Sequence, residues 1–211
     1  MQERKVCVVS GSSSGIGAAT VRRYAREGWD VVINYSRNSE LAEAVALECR
    51  ALGAQGDASA GNHAGSQALV VRANVADDAD CRRLAAEVEA RFGRIDGLVN
   101  AAGLTTRGSV ASGTAEVWDS LFAINARAAF FLMQAAVADM TARRAPGAIV
   151  NILSMNAHCG IPELAIYAGS KGALSTLTKN AAHAHMADRI RVNGINLGWV
   201  ATESERRMQA E

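Results

Sequence analysis

The residues best suited to chemistry lie between Ser154 and Lys171. Tyr167 and Lys171 are spaced to project from one face of a helix, one turn apart, and Ser154 ends an apolar, strand-like run before them. A phenol has a pKa of about 10, and a neighbouring ammonium favours the phenolate, which makes the phenol a better proton donor near neutral pH. With the serine hydroxyl as a second donor, this set suits protonation of an oxygen that gains charge as hydride arrives. That chemistry is carbonyl reduction or its reverse.

The whole chain has the size and composition of one well-buried domain, residues 1–211. It contains 211 residues, of which 49% are hydrophobic and 20% are charged. The formal net charge is +1, and acids and bases are interspersed. No basic face therefore indicates nucleic acid or an anionic membrane as a partner.

Cysteine spacing and the chain start indicate a soluble, cytoplasmic protein. The four cysteines lie far apart, without the paired spacing of a zinc site or a disulfide framework. We expect reduced thiols and no metal. The first residues enter a strand without a cleavable apolar segment, and we expect no apolar run long enough to span a membrane.

A glycine-rich turn joins the first predicted strand to the first predicted helix. Lys5 to Ser10 is β-branched and apolar, SGSSSGIG follows, and an amphipathic helix runs from Gly15 to Glu27. Such a turn lets backbone N–H groups and a helix N-terminus approach a pyrophosphate. Asp30 to Tyr35 is a second buried strand, which completes a βαβ unit.

The same alternation of strands and helices continues to the end of the chain. Further strands are predicted at 68–72, 97–100, 148–153 and 191–196, and further helices at 40–52, 77–92, 116–140 and around Tyr167 and Lys171. This alternation predicts an α/β fold with a doubly wound, Rossmann-type parallel sheet in a single domain.

The long helix at 116–140 is apolar nearly all round. One stripe consists of Trp118, Leu121, Asn125, Ala128 and Leu132, while Phe122, Phe130 and Phe131 make other faces apolar. A helix of this kind is buried on two sides. We therefore expect a homotetramer or dimer that is joined through the helices at 116–140 and 163–185.

Residues 54–67 are rich in Gly, Ala and Ser and have no large apolar side chain. Loops of this length are uncommon in compact domains, and we expect this one to be mobile. Because it leads from a helix to the start of a strand, it should lie away from a site at the carboxyl ends of the strands.

Nearly the whole chain resembles the short-chain dehydrogenase/reductase family. Ser10 to Gly17 is similar to that family's Thr-Gly-x-x-x-Gly-x-Gly turn, and Asn100 to Gly103 to its Asn-Asn-Ala-Gly segment with one substitution. Tyr167 and Lys171 match its Tyr-x-x-x-Lys pair. Residues 197–202 match its Pro-Gly segment without the proline, and Ser154 and Asn125 match its serine and asparagine.

The resemblance implies a role for each of these residues. Tyr167 would be the general acid/base, and Lys171 would lower the pKa of that phenol and hold the nicotinamide ribose. Ser154 would polarise the substrate carbonyl, and Asn125 would hold a water in a proton relay. The implied cofactor site comprises Gly11, Ser13, Ser14, Gly15, Ile16, Tyr35, Ser36, Arg37, Asn74, Val75, Asn100, Ala101, Gly103, Tyr167, Lys171, Gly198, Val200 and Thr202.

The residues after the second strand favour NADP(H) over NAD(H). An acidic residue there would bind a ribose 2′-hydroxyl, whereas an arginine suits a 2′-phosphate. The chain has Ser36 and Arg37 and no acid before Glu40, although Arg37 as a solvated loop residue is the alternative. Asn74 stands where the family usually has an aspartate near the adenine, and its amide oxygen can accept the same hydrogen bond.

The leading hypothesis is an NADP(H)-dependent carbonyl reductase or alcohol dehydrogenase that acts on a small molecule. By resemblance, the first substrate class is the 3-oxoacyl thioesters of 3-oxoacyl-carrier-protein reductases, followed by sugars and polyols. The alternative is a catalytically silent dinucleotide-binding sensor or scaffold. The chain stops at Glu211, before the family's substrate-covering helices and final strand, so we expect the natural protein to be longer.

Overall fold

Six parallel strands form the predicted sheet in the computed structural model, which describes residues 4–54, 65–203 and 206. The strands are β1 (Val6–Ser10), β2 (Asp30–Tyr35), β3 (Ala68–Arg72), β4 (Gly97–Asn100), β5 (Gly147–Ser154) and β6 (Ile190–Leu197). Their order across the sheet is β3-β2-β1-β4-β5-β6. The order reverses between β1 and β4, and ligands of such sheets bind at the carboxyl ends of the strands beside this point.

Helices cover both faces of the sheet, as a doubly wound fold requires. They are α1 (Gly15–Arg26), α2 (Ser39–Ala54), α3 (Asp78–Phe92), α4 (Ala115–Phe122), α5 (Ala128–Ala142) and α6 (Ala165–Ala184). The helices α1 and α2 share one hydrophobic core with the sheet, and α3, α5 and α6 share the other. The fold class predicted from the sequence is confirmed.

The apolar strand sequences follow from burial on both faces. Within β1, Val6 and Val8 belong to the core under α3, α5 and α6, and Cys7 and Val9 belong to the core under α1 and α2. Successive side chains of a strand point to opposite faces, so a strand covered on both sides needs apolar residues at every position. The polar Asn34, buried in β2, departs from this rule.

The predicted helix at 116–140 is interrupted by a π-helical turn, Ala123–Arg127, between α4 and α5. Leu121, Asn125, Ala128 and Leu132 are buried as predicted. Trp118 is 50% exposed and stacks on Phe122, at the outer end of the same stripe.

The continuous helical segment Ala115–Ala142 is long and apolar enough to cross a membrane by length and composition alone. The expectation that no segment reaches that length is therefore wrong. The apolar face of this segment lies in the protein core, where Leu132, Ala136 and Met140 are buried against the sheet. A core helix of this kind passes the same test as a membrane span, so the segment is weak support for a membrane location.

All four cysteines lie in the described ranges and none is paired. Cys7, Cys49 and Cys81 are buried, and Cys159 is exposed. Burial raises the pKa of the Cys49 and Cys81 thiols to about 11, which makes the thiolate scarce at neutral pH. The buried cysteines therefore act as small core residues.

The ends of the predicted loop 54–67 meet at the amino end of β3. The Gly65 N–H donates to the Gly53 carbonyl over 3.1 Å, and the Ser66 hydroxyl donates to the Ala25 carbonyl over 3.0 Å. Ala54 itself belongs to α2. The mobility predicted for residues 54–67 falls mostly on residues 55–64, which lie outside the described residues.

Candidate active site

Ser154 is the last residue of β5, and the helix that carries Tyr167 and Lys171 lies beside it. Lys171 Nζ donates a hydrogen bond to the Ile152 carbonyl over 2.7 Å, which ties α6 to β5 two residues before the serine. The short turn Met155–Ala157 after Ser154 also packs against α6. Tyr167 and Lys171 are one turn apart on α6, and Tyr167 is half-buried at the carboxyl end of the sheet.

Lys171 is a buried cation, with only 4% of its surface exposed. Removal of an ammonium from water disfavours its charged form, so burial lowers the pKa of Lys171 from 10.5 to about 8. The ammonium therefore predominates at pH 7, but it is held in the fold at an energetic cost. Costly buried charges of this kind are typical of functional sites.

Asn125 lies in the π-helical turn and faces the same region. Its Oδ1 accepts from the Leu104 N–H over 2.8 Å, and its Nδ2 donates to the Leu104 carbonyl over 2.9 Å. Nδ2 also donates to the Ser170 hydroxyl over 3.0 Å. Single π turns inside α-helices occur frequently at functional sites, and this one places a buried amide between the loop after β4 and α6.

Ser170 is a site residue that the sequence reasoning did not include. It is fully buried, and its hydroxyl donates to the Tyr167 carbonyl over 2.7 Å. Because that hydroxyl proton is used, Ser170 accepts from Asn125, which fixes the orientation of the Asn125 amide. The sequence offered one signal for Ser170, which is a small polar residue between Tyr167 and Lys171 of the same motif.

Gly103 marks the space that the polar groups share. A Cβ atom added there would lie 3.6 Å from Asn125 Oδ1 and 3.7 Å from Lys171 Nζ. The acceptor and the donor therefore border the same small space. These two groups are the partners that the predicted proton relay would use.

The loop after β4 is attached to the first turn of α6. The Gly108 N–H donates to the Glu163 carbonyl over 2.7 Å, and the Ile166 N–H donates to the Gly108 carbonyl over 3.2 Å. Gly113 lies under the Ile166 side chain, where an added Cβ would be 2.6 Å from Cδ1. A cavity of about 770 Å³ opens beside this junction, lined by Arg107, Ser109, Ser112, Ile161, Glu163 and Ala168 among others. Ala168 is the neighbour of Tyr167, but Ser154, Tyr167 and Lys171 do not line this cavity, so it is a candidate only for the part of a substrate remote from the reacting carbon.

The glycine-rich turn has the backbone geometry of an anion-binding site. Gly11 has φ +64° and Gly15 has φ +54°, values that side chains disfavour. A Cβ atom at Gly11 would lie 2.7 Å from Ala102 Cα, and one at Gly17 would lie 2.5 Å from the Gly11 carbonyl oxygen. Ser14 is the N-cap of α1 but its side chain accepts no capping hydrogen bond, so the first amides of the helix are available to a phosphate.

An open cavity of about 680 Å³ lies beside this turn, between α1 and the segment after β6. Gly15 and Ile16 line it on one side, and Val200 and Thr202 line it on the other. A Cβ atom at Gly15 would touch Thr202 Cγ2 at 3.5 Å. The uncapped first amides of α1 suit the phosphates of a dinucleotide. The cavity itself continues along α1 past Ala19 to Arg23 and Tyr24, away from the carboxyl ends of the strands.

The remaining predicted cofactor residues follow the carboxyl ends of the strands. Ser36 and Arg37 are exposed after β2, with Tyr35 half-buried before them. Asn74 is exposed after β3, and its Oδ1 accepts from the Ala76 N–H over 3.3 Å. The structure thus brings the predicted phosphate, ribose and adenine contacts to one edge of the sheet, where Ser13, Gly103 and Gly198 also lie.

Three predicted cofactor residues make hydrogen bonds or packing contacts inside the protein. The Asn100 side chain turns into the core, where its Nδ2 donates to Asn151 Oδ1 over 2.8 Å. The Val75 side chain belongs to the core, and the Ala101 N–H donates to the Ser10 hydroxyl over 3.2 Å. Ser10 also accepts from the Ala102 N–H, so it joins β1 to the segment after β4.

Comparisons with known proteins agree with this architecture. The family model described as short chain dehydrogenase matches residues 5–211. A 3-oxoacyl-[acyl-carrier-protein] reductase, FabG, from Staphylococcus aureus is 32% identical over 203 residues, which are 96% of this chain and 77% of that protein.

Two solved structures have the same fold over nearly the whole chain. A double mutant of a short-chain dehydrogenase/reductase from Serratia marcescens superposes with a TM-score of 0.84 at 35% identity, covering 96% of this chain and 77% of that one. An acetoin dehydrogenase from Enterobacter cloacae superposes with a TM-score of 0.87 at 28% identity, covering 100% of this chain and 79% of that one. The chain belongs to the short-chain dehydrogenase family and is a dinucleotide-dependent oxidoreductase.

Proposed function

We propose that the protein uses NADP(H) to interconvert a carbonyl compound and a secondary alcohol, with 3-oxoacyl thioesters as the first substrate class. The observation that carries the proposal is the buried Lys171 ammonium, one turn from Tyr167 and beside Asn125 and Gly103. A buried cation next to a phenol and a serine hydroxyl suits the stabilisation of an oxygen that gains negative charge.

The proposed reduction assigns one task to each side chain. A bound nicotinamide would supply the hydride for the carbonyl carbon, and the substrate oxygen would then take up the electron pair of the carbonyl π bond. Ser154 donates a hydrogen bond to that oxygen, and the Tyr167 hydroxyl transfers its proton to it. The Lys171 ammonium stabilises the resulting phenolate. The Tyr167 phenolate then takes up a proton from solvent through the space that Lys171 and Asn125 border.

The names of the relatives support two substrate classes. One relative is named as a 3-oxoacyl-[acyl-carrier-protein] reductase, and one structural neighbour is named as an acetoin dehydrogenase. Both substrates present a carbonyl or secondary alcohol to the nicotinamide. Sugars and polyols are the third class, and the cavity between the loop after β4 and α6 offers hydroxyl and charged groups to any of them.

The first experiment is a binding titration with NADPH and NADH, followed by the decay of nicotinamide absorbance with acetoacetyl thioester, diacetyl and a panel of ketoses. Tight NADPH binding with thioester-dependent decay supports the proposal. Faster turnover of a ketose or of diacetyl than of the thioester assigns the substrate to that class instead. Binding without turnover of any substrate favours a catalytically silent sensor or scaffold, and absence of binding overturns the proposal.

Replacement of Arg37 by alanine tests the preference for NADP(H). We expect the KM for NADPH to rise by about tenfold or more, since a charge-assisted contact with the 2′-phosphate is lost. The KM for NADH should change by less than about twofold, because NADH has no such phosphate. Steady-state kinetics with both cofactors measure the ratio.

The matched control is Arg82→Ala, which removes an exposed arginine from α3. It should leave both KM values unchanged. Equal effects of Arg37→Ala on the two cofactors would contradict a role for Arg37 in 2′-phosphate recognition and would support a solvated loop position.

We further propose that the protein is a homodimer or homotetramer joined through α4, α5 and α6. Trp118 and Phe130 are 50% and 43% exposed, although each lies in a strongly apolar helix. The substitution Trp118→Asp should dissociate the assembly to monomers in light scattering at micromolar concentration, because a charge replaces a large apolar contact. Leu47→Asp changes a leucine that is 68% exposed on α2 and should leave the mass unchanged. A wild-type monomer would contradict the proposal.

A further inference from the structure

We propose that Asn34 is a positioning residue that holds the glycine-rich turn in the conformation that binds the dinucleotide. The inference rests on the proposed function, because it concerns the same cofactor site. Asn34 lies in β2 among apolar residues and is 2% exposed, so its side chain does not reach solvent.

One carboxamide joins two parts of the cofactor site. Asn34 Oδ1 accepts from the Gly11 N–H over 3.0 Å, and Nδ2 donates to the Ala73 carbonyl over 3.0 Å. Gly11 opens the glycine-rich turn, and Ala73 directly precedes Asn74, the predicted adenine contact. The side chain therefore fixes the distance between the phosphate end and the adenine end of the site.

The pairing requires an amide. A backbone N–H only donates and a backbone carbonyl only accepts, so the side chain between Gly11 and Ala73 needs an acceptor and a donor on one planar group. An ionised aspartate offers two acceptors and opposes the Ala73 carbonyl. Alanine offers neither and leaves a buried N–H and a buried carbonyl without partners.

Gly11 is the residue whose conformation depends on this contact. It adopts φ +64°, and glycine populates positive and negative φ about equally when nothing holds it. If only a fraction of molecules has the binding conformation, the apparent dissociation constant rises by the inverse of that fraction. Because the Gly11 N–H is used by Asn34, the phosphates are left to the first amides of α1, at Gly15 and Ile16.

The positioning role is separable from folding. The Ser12 N–H donates to the Asn34 carbonyl over 3.0 Å, and the Asn34 N–H donates to the Ser12 hydroxyl over 2.9 Å. Both bonds use the backbone of residue 34 and persist when its side chain is replaced. The strand and the turn thus stay attached, while the Gly11 N–H loses its hydrogen bond to the side chain of residue 34.

The test compares Asn34→Ala and Asn34→Asp with wild type by calorimetric titration with NADP⁺ and NAD⁺. We expect the dissociation constant of the tighter cofactor to rise by about tenfold in both variants, as when the competent conformation falls to about one tenth. The kcat at saturating cofactor should stay within about threefold of wild type, because the catalytic groups are not touched. A higher dissociation constant with an unchanged kcat is not expected from a general loss of stability.

Asn151→Asp is the matched control. Asn151 is also a fully buried asparagine in a central strand. Aspartate at this position can still accept the hydrogen bond from Asn100 Nδ2, and it loses the bond that the Asn151 amide donates to Thr178. This variant should lose stability in urea unfolding but keep the wild-type cofactor affinity. The inference is overturned if the Asn34 variants bind like wild type, or if Asn151→Asp weakens binding to the same extent.

Hydrogen exchange on the wild-type protein gives a second readout that does not depend on the folding of any variant. Without cofactor, the Gly11 amide should exchange slowly, since it is bonded to Asn34. Addition of NADP⁺ should slow exchange at Ile16 and leave Gly11 unchanged. Rapid exchange of Gly11 overturns the inference. Absence of dinucleotide binding by wild type overturns the proposed function and the inference with it.

Discussion

Tyr167→Phe is expected to lower kcat by about three orders of magnitude, within the range that a positioned general acid contributes. The variant keeps the ring and loses only the hydroxyl that transfers the proton. The dissociation constant of the dinucleotide should stay within about threefold, because Lys171 and the glycine-rich turn are unchanged. Stopped-flow absorbance of the nicotinamide at saturating substrate measures the chemical step directly.

Tyr24→Phe is the matched control for this experiment. Tyr24 packs edge-on against Trp29 at a ring-centroid distance of 5.0 Å, in the core on the other side of the sheet. Loss of its hydroxyl should leave kcat unchanged within about twofold. If Tyr167→Phe turned over as fast as wild type, the proton would come from another group and the proposed mechanism would be wrong.

Lys171→Met is expected to lower kcat/KM by about three orders of magnitude, since it removes the cation beside the phenol and the predicted ribose contact. Lys179→Met removes an exposed lysine from the same helix and should have no comparable effect. Steady-state kinetics on both variants make the comparison. Comparable loss in the two variants would show that the charge of α6, rather than the position of Lys171, matters.

The same substitution should change how stability depends on pH. The pKa of Lys171 is lowered from 10.5 to about 8 by burial, so between those values the unfolded chain binds more protons than the folded chain. The free energy of unfolding therefore rises as the pH rises from about 8 to about 10.5. At about 1.4 kcal/mol for each pKa unit, the rise contributed by this lysine is about 3 kcal/mol.

Urea unfolding of wild type and Lys171→Met across this pH range isolates that contribution. The difference between the two free energies of unfolding should move in favour of wild type as the pH rises, because methionine does not titrate. Parallel curves would contradict the burial of a charged Lys171. A difference that grows with pH would also show that the protein without cofactor keeps a destabilising buried charge that its active site needs.

The sequence predicted the strands and helices well because each strand is buried on both faces and each helix has one apolar side. Those patterns require no knowledge of tertiary contacts. The Tyr167 and Lys171 pair was predictable for the same reason, since helical spacing alone places both side chains on one face. Ser154 was predictable from its place at the end of an apolar strand.

Other features depend on contacts between distant segments and could not be predicted from local pattern. Asn34 pairs with Gly11 and Ala73 only because β2 lies between β1 and β3 in the observed register. Ser170 acquires its role from the π turn that carries Asn125. Helical periodicity contains no signal for an extra residue in one turn.

The attachment of the loop after β4 to the start of α6 limits how new specificities can arise in this enzyme. Ile166, which is bonded to Gly108 and packed over Gly113, is the direct neighbour of Tyr167. If the loop after β4 were exchanged for one of another length, its displacement would also shift α6 and the Tyr167 side chain on it. Laboratory evolution should therefore favour side-chain changes at positions such as Arg107 and Ser112 over changes in loop length. Libraries that keep Gly108 and Gly113 should yield more active variants than those that do not.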